Sequence, residues 1–355
     1  MFEDKLLGAL LGDDAVSAAF SSAATLGHFR NFEIALTEAL AGNGLLTSDA
    51  AAAIIAGCRS FTPDAERLRL DTVTDGVPVP AYIRQLKAHI GPPHAEFLHL
   101  GATSQDLIDT ALALAMTEIN AGFDIKIRRL QEKLQILNQS FGAEHLMGRT
   151  RMQAALPIRV SRRIETWLNP LLRHLERLQT VGPAATVLQL GGAVGTRHAY
   201  GDKAEAIAVQ MAKTLGLHNP PAPWHTERDN LADYASWLSL LSGSLGKMGQ
   251  DICLMVQQGI EEITLSGGGG SSAMPHKQNP VAAETLVTLA RFNAVQLSAM
   301  HHALIHEQER SGSAWALEWM ILPKMCEATG CALTTALRLT GQIPGMGKRA
   351  DQAGM

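Results

Sequence analysis

Aromatic residues make up only 5% of this 355-residue chain. Strands draw on aromatic and β-branched side chains, whereas alanine and leucine, abundant here, are strong helix formers. A mainly β fold is therefore disfavoured. Charge of one sign is also lacking: 30 Lys and Arg stand against 34 Asp and Glu, a net charge of −4. That balance supplies no basic field for nucleic acid. No stretch offers the roughly 20 uninterrupted apolar residues of a membrane span. The start of the chain, MFEDKLLGALLGDDAVSAAF, has neither a basic n-region nor a sustained apolar h-region, so it does not read as a signal peptide. Cysteines are few, namely Cys58, Cys253, Cys326 and Cys331, and none forms a Cys-x-x-Cys pair. All four sit among apolar, helix-forming residues, which predicts buried free thiols, a reducing compartment and a cytoplasmic location.

What is present is material for a large core, with 46% hydrophobic residues, at a length that suggests two or three units. Residues 1–95 are broken by turn signals at Asn43-Gly44, Thr62-Pro63, Asp75-Gly76, Val77-Pro78 and Gly91-Pro92-Pro93. Short alanine-rich helices between them predict a small helical N-terminal domain. Residues 96–340 carry long stripes at steps of three and four. One runs through Ile108, Ile119, Phe123, Ile127, Leu130, Leu134 and Phe141. A second starts near Pro157 and passes Ile164, Trp167 and Leu171. A third runs from Leu231 to Met255, and a fourth begins at Asn279-Pro280 and passes Val287 and Val295. Helices of that length pack as a bundle. Residues 341–355 read as a short polar tail.

Polar, glycine-marked segments interrupt the stripes. Gly267 to Gly270 feed Ser271 and Ser272, then Met-Pro-His-Lys-Gln-Asn-Pro with Lys277 and Asn279, and Glu284 follows one turn on. Four glycines predict a mobile loop that delivers hydroxyls, a cation and an amide to a ligand. His99-Leu-Gly-Ala-Thr103-Ser104-Gln-Asp precedes the first stripe, where Thr103 or Ser104 serves as a helix cap and the helix N-terminus suits an anion. Met147-Gly-Arg-Thr-Arg151-Met-Gln153 places two arginines in a turn between long helices. Gln189-Leu-Gly-Gly-Ala-Val-Gly-Thr reads as a tight turn. His306 to Ser313 contains Arg310, with Trp315, Glu318 and Trp319 after it. His301, His302 and His306 stand at helical spacing, but no acidic base accompanies them in a recognised zinc pattern.

In order and spacing, GSSAMPHKQNP, HLGATSQD, MGRTRMQ and GGAVGT resemble the shared segments of the fumarase/aspartase superfamily, and the resemblance spans about residues 5–340. It implies an all-α long helical bundle with a small helical N-terminal domain, the C-terminal domain of the lyases being largely absent. It also implies a homotetramer whose active sites are each shared among subunits, and neither cofactor nor metal. In such enzymes a loop serine removes the proton next to a carboxylate. Ser271 is the better match for that base, with Ser272 the alternative. Lys277 and Asn279 match positions that stabilise the resulting enolate-like carboxylate, and Thr103, Ser104 and Gln153 match substrate-binding positions.

Two departures single out a branch. The family's lyases carry a histidine where this chain has Arg151, and a glutamate matching Glu284 orients it to protonate the leaving group. Arginine stays charged and cannot act as a neutral acid. A carboxylate leaving group needs no such acid, so the departure suits lactone formation and opening. Trp319 stands where a lyase of the family has a phosphate-binding arginine. Together with PWHTERDNLADYASWL, it resembles the cycloisomerase branch. The expected substrate is a small tricarboxylate, with Arg151, Lys277, Arg310 and His99 the candidates for its charges. Another lyase of the superfamily and an inactive member that keeps only the scaffold are the alternatives.

Overall fold

The computed structural model describes residues 6–270, 274 and 278–348. Six helices precede residue 91: α1 (Gly8–Leu11), α2 (Asp14–Ala19), α3 (Ser22–Gly42), α4 (Ser48–Ser60), α5 (Ala65–Asp75) and α6 (Val79–Ile90). Their starts follow from capping chemistry. Asp13, Ser21, Thr47 and Asp64 each accept a hydrogen bond from the backbone N–H three residues on. Their ends follow the turn signals: Gly76 closes α5 at φ 75° and Gly91 closes α6 at φ 74°. One expectation was too fragmentary. At 21 residues, α3 runs without a break, because Phe29, Phe32, Leu36 and Leu40 give it a continuous buried face.

The bundle follows. α7 (Ser104–Phe141) has 38 residues, about 57 Å at 1.5 Å per residue. A β-hairpin, β1 (His145–Thr150) and β2 (Gln153–Arg159), leads into α8 (Val160–Ala185). α9 (Ala204–Leu215), α10 (Asp229–Met255), β3 (Ile263–Thr264), α11 (Val281–His302), α12 (Ser313–Thr340) and β4 (Gly345–Met346) complete the order. The all-α bundle holds. The second stripe, however, begins at Val160 rather than Pro157. Pro157 lies in β2, opposite Met147, where the lack of an N–H is tolerated in a two-stranded ribbon. Arg151 and Met152 turn the hairpin at φ 50° and 67°, the left-handed pair of a type I′ turn.

Two cores form. The larger joins Phe123, Ile127, Leu134, Trp167, Leu171, Trp237, Leu241, Leu286, Met325 and Leu333. The smaller holds Phe29, Phe32, Ile54, Tyr82 and Leu86, and it also takes Leu188, Leu190, Tyr200, Ile207 and Met211 from beyond residue 96. Residues 345–348 are tied in as well: β4 pairs with β3, and Lys348 exchanges backbone hydrogen bonds of 3.0 Å with His145. All four cysteines are free, and burial pushes the Cys58 and Cys326 thiols up to about 12. No helix among the described residues is long and apolar enough to cross a membrane.

The α10–α11 contact depends on glycine. A Cβ on Gly249 would sit 2.5 Å from the Ala283 carbonyl oxygen and 2.8 Å from Leu286 Cβ. Alanine in mid-helix gains roughly 0.5–1 kcal/mol over glycine, but forcing extra volume against a packed backbone costs about 1–3 kcal/mol. Gly249→Ala should therefore lower the denaturant midpoint. An unchanged or raised midpoint would show that the two helices part at no cost.

Candidate active site

The segment before α7 is bent into place by left-handed residues. His99 has φ 62° and Gly101 φ 75°. A Cβ on Gly101 would meet Tyr200 and Ala199 at 2.7–2.9 Å, so only glycine fits this approach. Thr103 is the N-cap of α7, and Ser104 is its first residue. Thr103 N–H donates to Asp106 Oδ2 at 3.0 Å.

Asp106 then joins this segment to the next. Its carboxylate, fully buried, accepts from Gly191 N–H at 2.8 Å and Gly192 N–H at 2.9 Å. His225 Nε2 lies 2.9 Å from Oδ1. The two glycine-marked turns consequently touch: a Cβ on Gly192 would strike the Gly101 carbonyl oxygen at 2.7 Å. Arg310 packs against the same turn, donating to Ala193 O at 3.1 Å and to Gln105 Oε1 at 3.2 Å. Among the described residues these acceptors are neutral, and no carboxylate lies within ion-pair distance of the guanidinium.

Beneath lies a buried ionic cluster. Arg228 donates to both oxygens of Asp109, at 2.7 and 3.1 Å, and to both of Glu318, at 2.9 and 2.5 Å. Side-chain exposures are 1%, 0% and 1%. Burial works against the guanidinium's charge, but Asp109 and Glu318 outweigh it and push its pKa up. Trp315 Nε1 donates to Asp109 at 3.0 Å, and Gln105 donates to Asp109 and to His225 O.

His99 Nδ1 is 2.7 Å from Glu33 Oε1. Burial alone would lower the imidazole pKa. The charge and hydrogen bond of Glu33, with Asp106 assisting, raise it overall.

The serine loop is closed at its neck. Gly269 N–H donates to Asn279 O at 2.9 Å and Asn279 N–H to Gly269 O at 2.8 Å. Here the glycines do more than permit motion. A Cβ on Gly269 would meet Val281 at 2.6 Å, and one on Gly268 would meet Gln278 at 3.0 Å. Glu284 lies exposed in the first turn of α11. Ser271, Ser272 and Lys277 lie outside the described residues.

His99, Thr103, Ser104 and Arg310 are thus gathered around the α7 N-terminus. Arg151 and Gln153 are not: they are exposed at the hairpin tip, and among the described residues no hydrogen bond links either side chain to the other candidates. The turn expected between long helices is instead this hairpin. His301 and His302 are exposed at the end of α11, while the His306 side chain is buried beside Glu318. No metal-ligand cluster occurs among the described residues. Trp319 stacks edge-on against Trp315 at 4.7 Å. It lines an apolar cavity of about 250 Å³ with Phe29, Ile108 and Leu322, whose wall includes Glu318.

A family described as Lyase matches residues 13–295. The chain belongs to this fumarase/aspartase-type lyase family. Among its relatives, 3-carboxy-cis,cis-muconate cycloisomerase of Pseudomonas aeruginosa is 37% identical over 91% of this chain and 72% of its own. The Pseudomonas putida protein of the same name is 36% identical over 99% and 84%. A crystal structure of 3-carboxy-cis,cis-muconate lactonizing enzyme from Pseudomonas putida superposes with a TM-score of 0.90 at 35% identity, covering 96% of this chain and 77% of that one.

The motif reading gave no role to Glu33, Gln105, Asp106, Asp109, His225 and Arg228, although HLGATSQD contains Gln105 and Asp106 and PWHTERDNLADYASWL contains His225 and Arg228. Two had a signal. Asp106 stands three residues after a threonine cap. Glu33 interrupts the apolar face of Phe29, Phe32 and Leu36, and a glutamate is almost never fully buried unless paired.

Arg228→Met should destabilise the protein by about 3–5 kcal/mol, since two buried carboxylates lose the guanidinium held between them. Adding Asp109→Asn and Glu318→Gln should recover more than half of that loss in urea unfolding. No recovery would mean that packing, not charge, sets the cost.

Proposed function

We propose that the protein interconverts 3-carboxy-cis,cis-muconate and 4-carboxymuconolactone, a step in protocatechuate breakdown. The observation that carries this reading is its 37% identity, over 91% of the chain, to a cycloisomerase of that name. Arg151 agrees with it, because a carboxylate leaving group needs no proton.

In lactone opening, the loop base takes the proton from the carbon next to a carboxylate. The electron pair forms the new carbon–carbon double bond, and the ring C–O bond breaks to release a carboxylate. Lactone formation is the reverse: a carboxylate oxygen adds to the double bond and the base returns its proton to carbon. No electrons are gained or lost, so the chemistry requires no redox cofactor. Ser271 is the proposed base, with Ser272 the alternative. A serine needs a lowered pKa for this role, and Lys277, four positions before α11 in the sequence, is the proposed source of positive charge. Lys277 and Asn279 stabilise the enolate-like carboxylate. His99, Arg151 and Arg310 bind the three carboxylates, Thr103, Ser104 and Gln153 hydrogen-bond them, and Glu284 stands one turn behind the loop.

We also propose a homotetramer with shared sites. The exposure of Arg151 and Gln153 on a projecting hairpin supports it, since a hairpin of this kind suits insertion into a neighbouring copy. The free thiols support a cytoplasmic setting.

Purified protein should abolish the muconate absorbance of 3-carboxymuconate. Cleavage of adenylosuccinate without that loss would overturn the assignment. Ser271→Ala should lower kcat by about 10²–10⁴, the range of a lost general base, and Ser272→Ala should lower it less. If neither reduces turnover, the loop does not carry the base. Native mass spectrometry should give four chains, and a monomer with full activity would exclude the shared site.

A further inference from the structure

Glu33 is a charged residue where the fold provides no water. It lies on the buried face of α3, its side chain fully enclosed, with Phe29, Phe32 and Leu36 as neighbours on that face. Among the described residues its Oε2 has no hydrogen-bond partner. Its Oε1 meets one group, His99 Nδ1, at 2.7 Å. A lone carboxylate at this depth costs several kcal/mol unless a cation is held against it, and the imidazole is the group placed to be that cation. The backbone agrees: His99 adopts φ 62°, a conformation that costs a non-glycine residue of order 1 kcal/mol and persists only where its surroundings enforce it. With Nδ1 turned to a buried carboxylate, Nε2 is the ring nitrogen directed away from Glu33, and the side chain keeps 15% exposure. His99 belongs to the segment leading into Thr103 and Ser104.

We propose that Glu33 is a positioning residue for substrate binding: it holds His99 in this strained orientation, so that Nε2–H meets one carboxylate of the substrate. The idea rests on the cycloisomerase reading for the identity of that carboxylate. The same arrangement appears in metal sites, where a carboxylate behind a histidine fixes its tautomer and ring orientation. Here the carboxylate would prepare the ring for an anion.

The groups around the pair are consistent with this role. Asp106 on α7 adds negative charge near His99, and Lys87 on α6 opposes it more weakly. Cys58, Tyr82 and Tyr200 around Glu33 are pushed up by burial first and by the Glu33 charge in addition, Asp106 also contributing at Tyr200, while Arg30 works against the shift at Cys58 and Tyr82. None of the three competes for its negative charge near neutral pH. Because the His99 pKa is raised, the cationic ring is present below the ordinary value of 6.5 and is lost only as pH climbs through the higher folded value. Substrate affinity should weaken over that upper range.

The test is Glu33→Gln, assayed on 3-carboxymuconate across pH. KM at neutral pH should rise about tenfold, the scale of one charge-assisted hydrogen bond, with kcat within about threefold. The pH at which kcat/KM falls should move down, and Glu33→Asp should move it part of the way back. An unchanged KM, or a loss of kcat with the pH inflection in place, overturns the proposal. Should Glu33→Gln fail to fold, ¹⁵N-imidazole NMR of the unaltered protein decides, with the signal assigned by its disappearance in His99→Asn. Titration above 6.5 supports the pair, and titration at or below 6.5 overturns it. Absence of wild-type turnover would remove the cycloisomerase reading alone, because the NMR titration is independent of substrate.

Discussion

Everything at the head of the bundle is arranged around one guanidinium. Arg228, just before α10, is held between Asp109 of α7 and Glu318 of α12 with almost no solvent contact. It also lies 4.5 Å over the Trp224 ring. Each of these charges alone would cost several kcal/mol to bury. The three helices can therefore bury these positions only together, in a register that brings all four oxygens to one fork. Gln105, one turn from Asp109 on α7, and Trp315, one turn from Glu318 on α12, complete the hydrogen bonding. A buried ion pair adds little net stability over apolar packing. Its contribution here is geometric, because a shift of one helix by a single turn would strand a charge.

The candidate site is built on that register. Asp106 lies on α7 just before Asp109, and from there it collects the N–H groups of the Gly191-Gly192 turn and the His225 ring. A segment near residue 100 and one near residue 190 thereby become one surface, with Arg310 laid against it. Glycine makes the contact possible. Gly101 and Gly192 sit where any side chain would collide, so the two turns approach to backbone contact. Gly268 and Gly269 serve the same purpose at the serine-loop neck, where the paired Gly269 and Asn279 set a fixed base for the loop.

Much of this was legible in the residues. The stripes from Ile108 to Phe141 and from Leu231 to Met255 became α7 and α10 because a 3.6-residue period in apolar side chains leaves a helix little alternative. Thr103 capped α7 as its position suggested. The stretch from 145 to 159 was misread. Leu146 is its one fully buried residue and most of β2 is exposed, so no apolar alternation announces strands and the apolar residues of α8 seemed to extend back to Pro157. The motif reading located His99, Thr103, Ser104 and Arg310, which do converge. It missed Asp106, Asp109, Arg228 and Glu33. These residues contact other protein groups, and an acidic residue in a helix looks the same in sequence whether it faces water or an arginine.

The chain by itself determined its helices, its family and the segments that carry polar chemistry, because period, capping and motif spacing are local properties written in neighbouring residues. Only the tertiary structure decided which charges are paired. Glu33 meets His99 across 66 positions and Asp109 meets Arg228 across 119. Such pairings depend on how helices cross, and on the desolvation cost that forbids an unpaired charge once they have crossed. Local sequence spacing records neither.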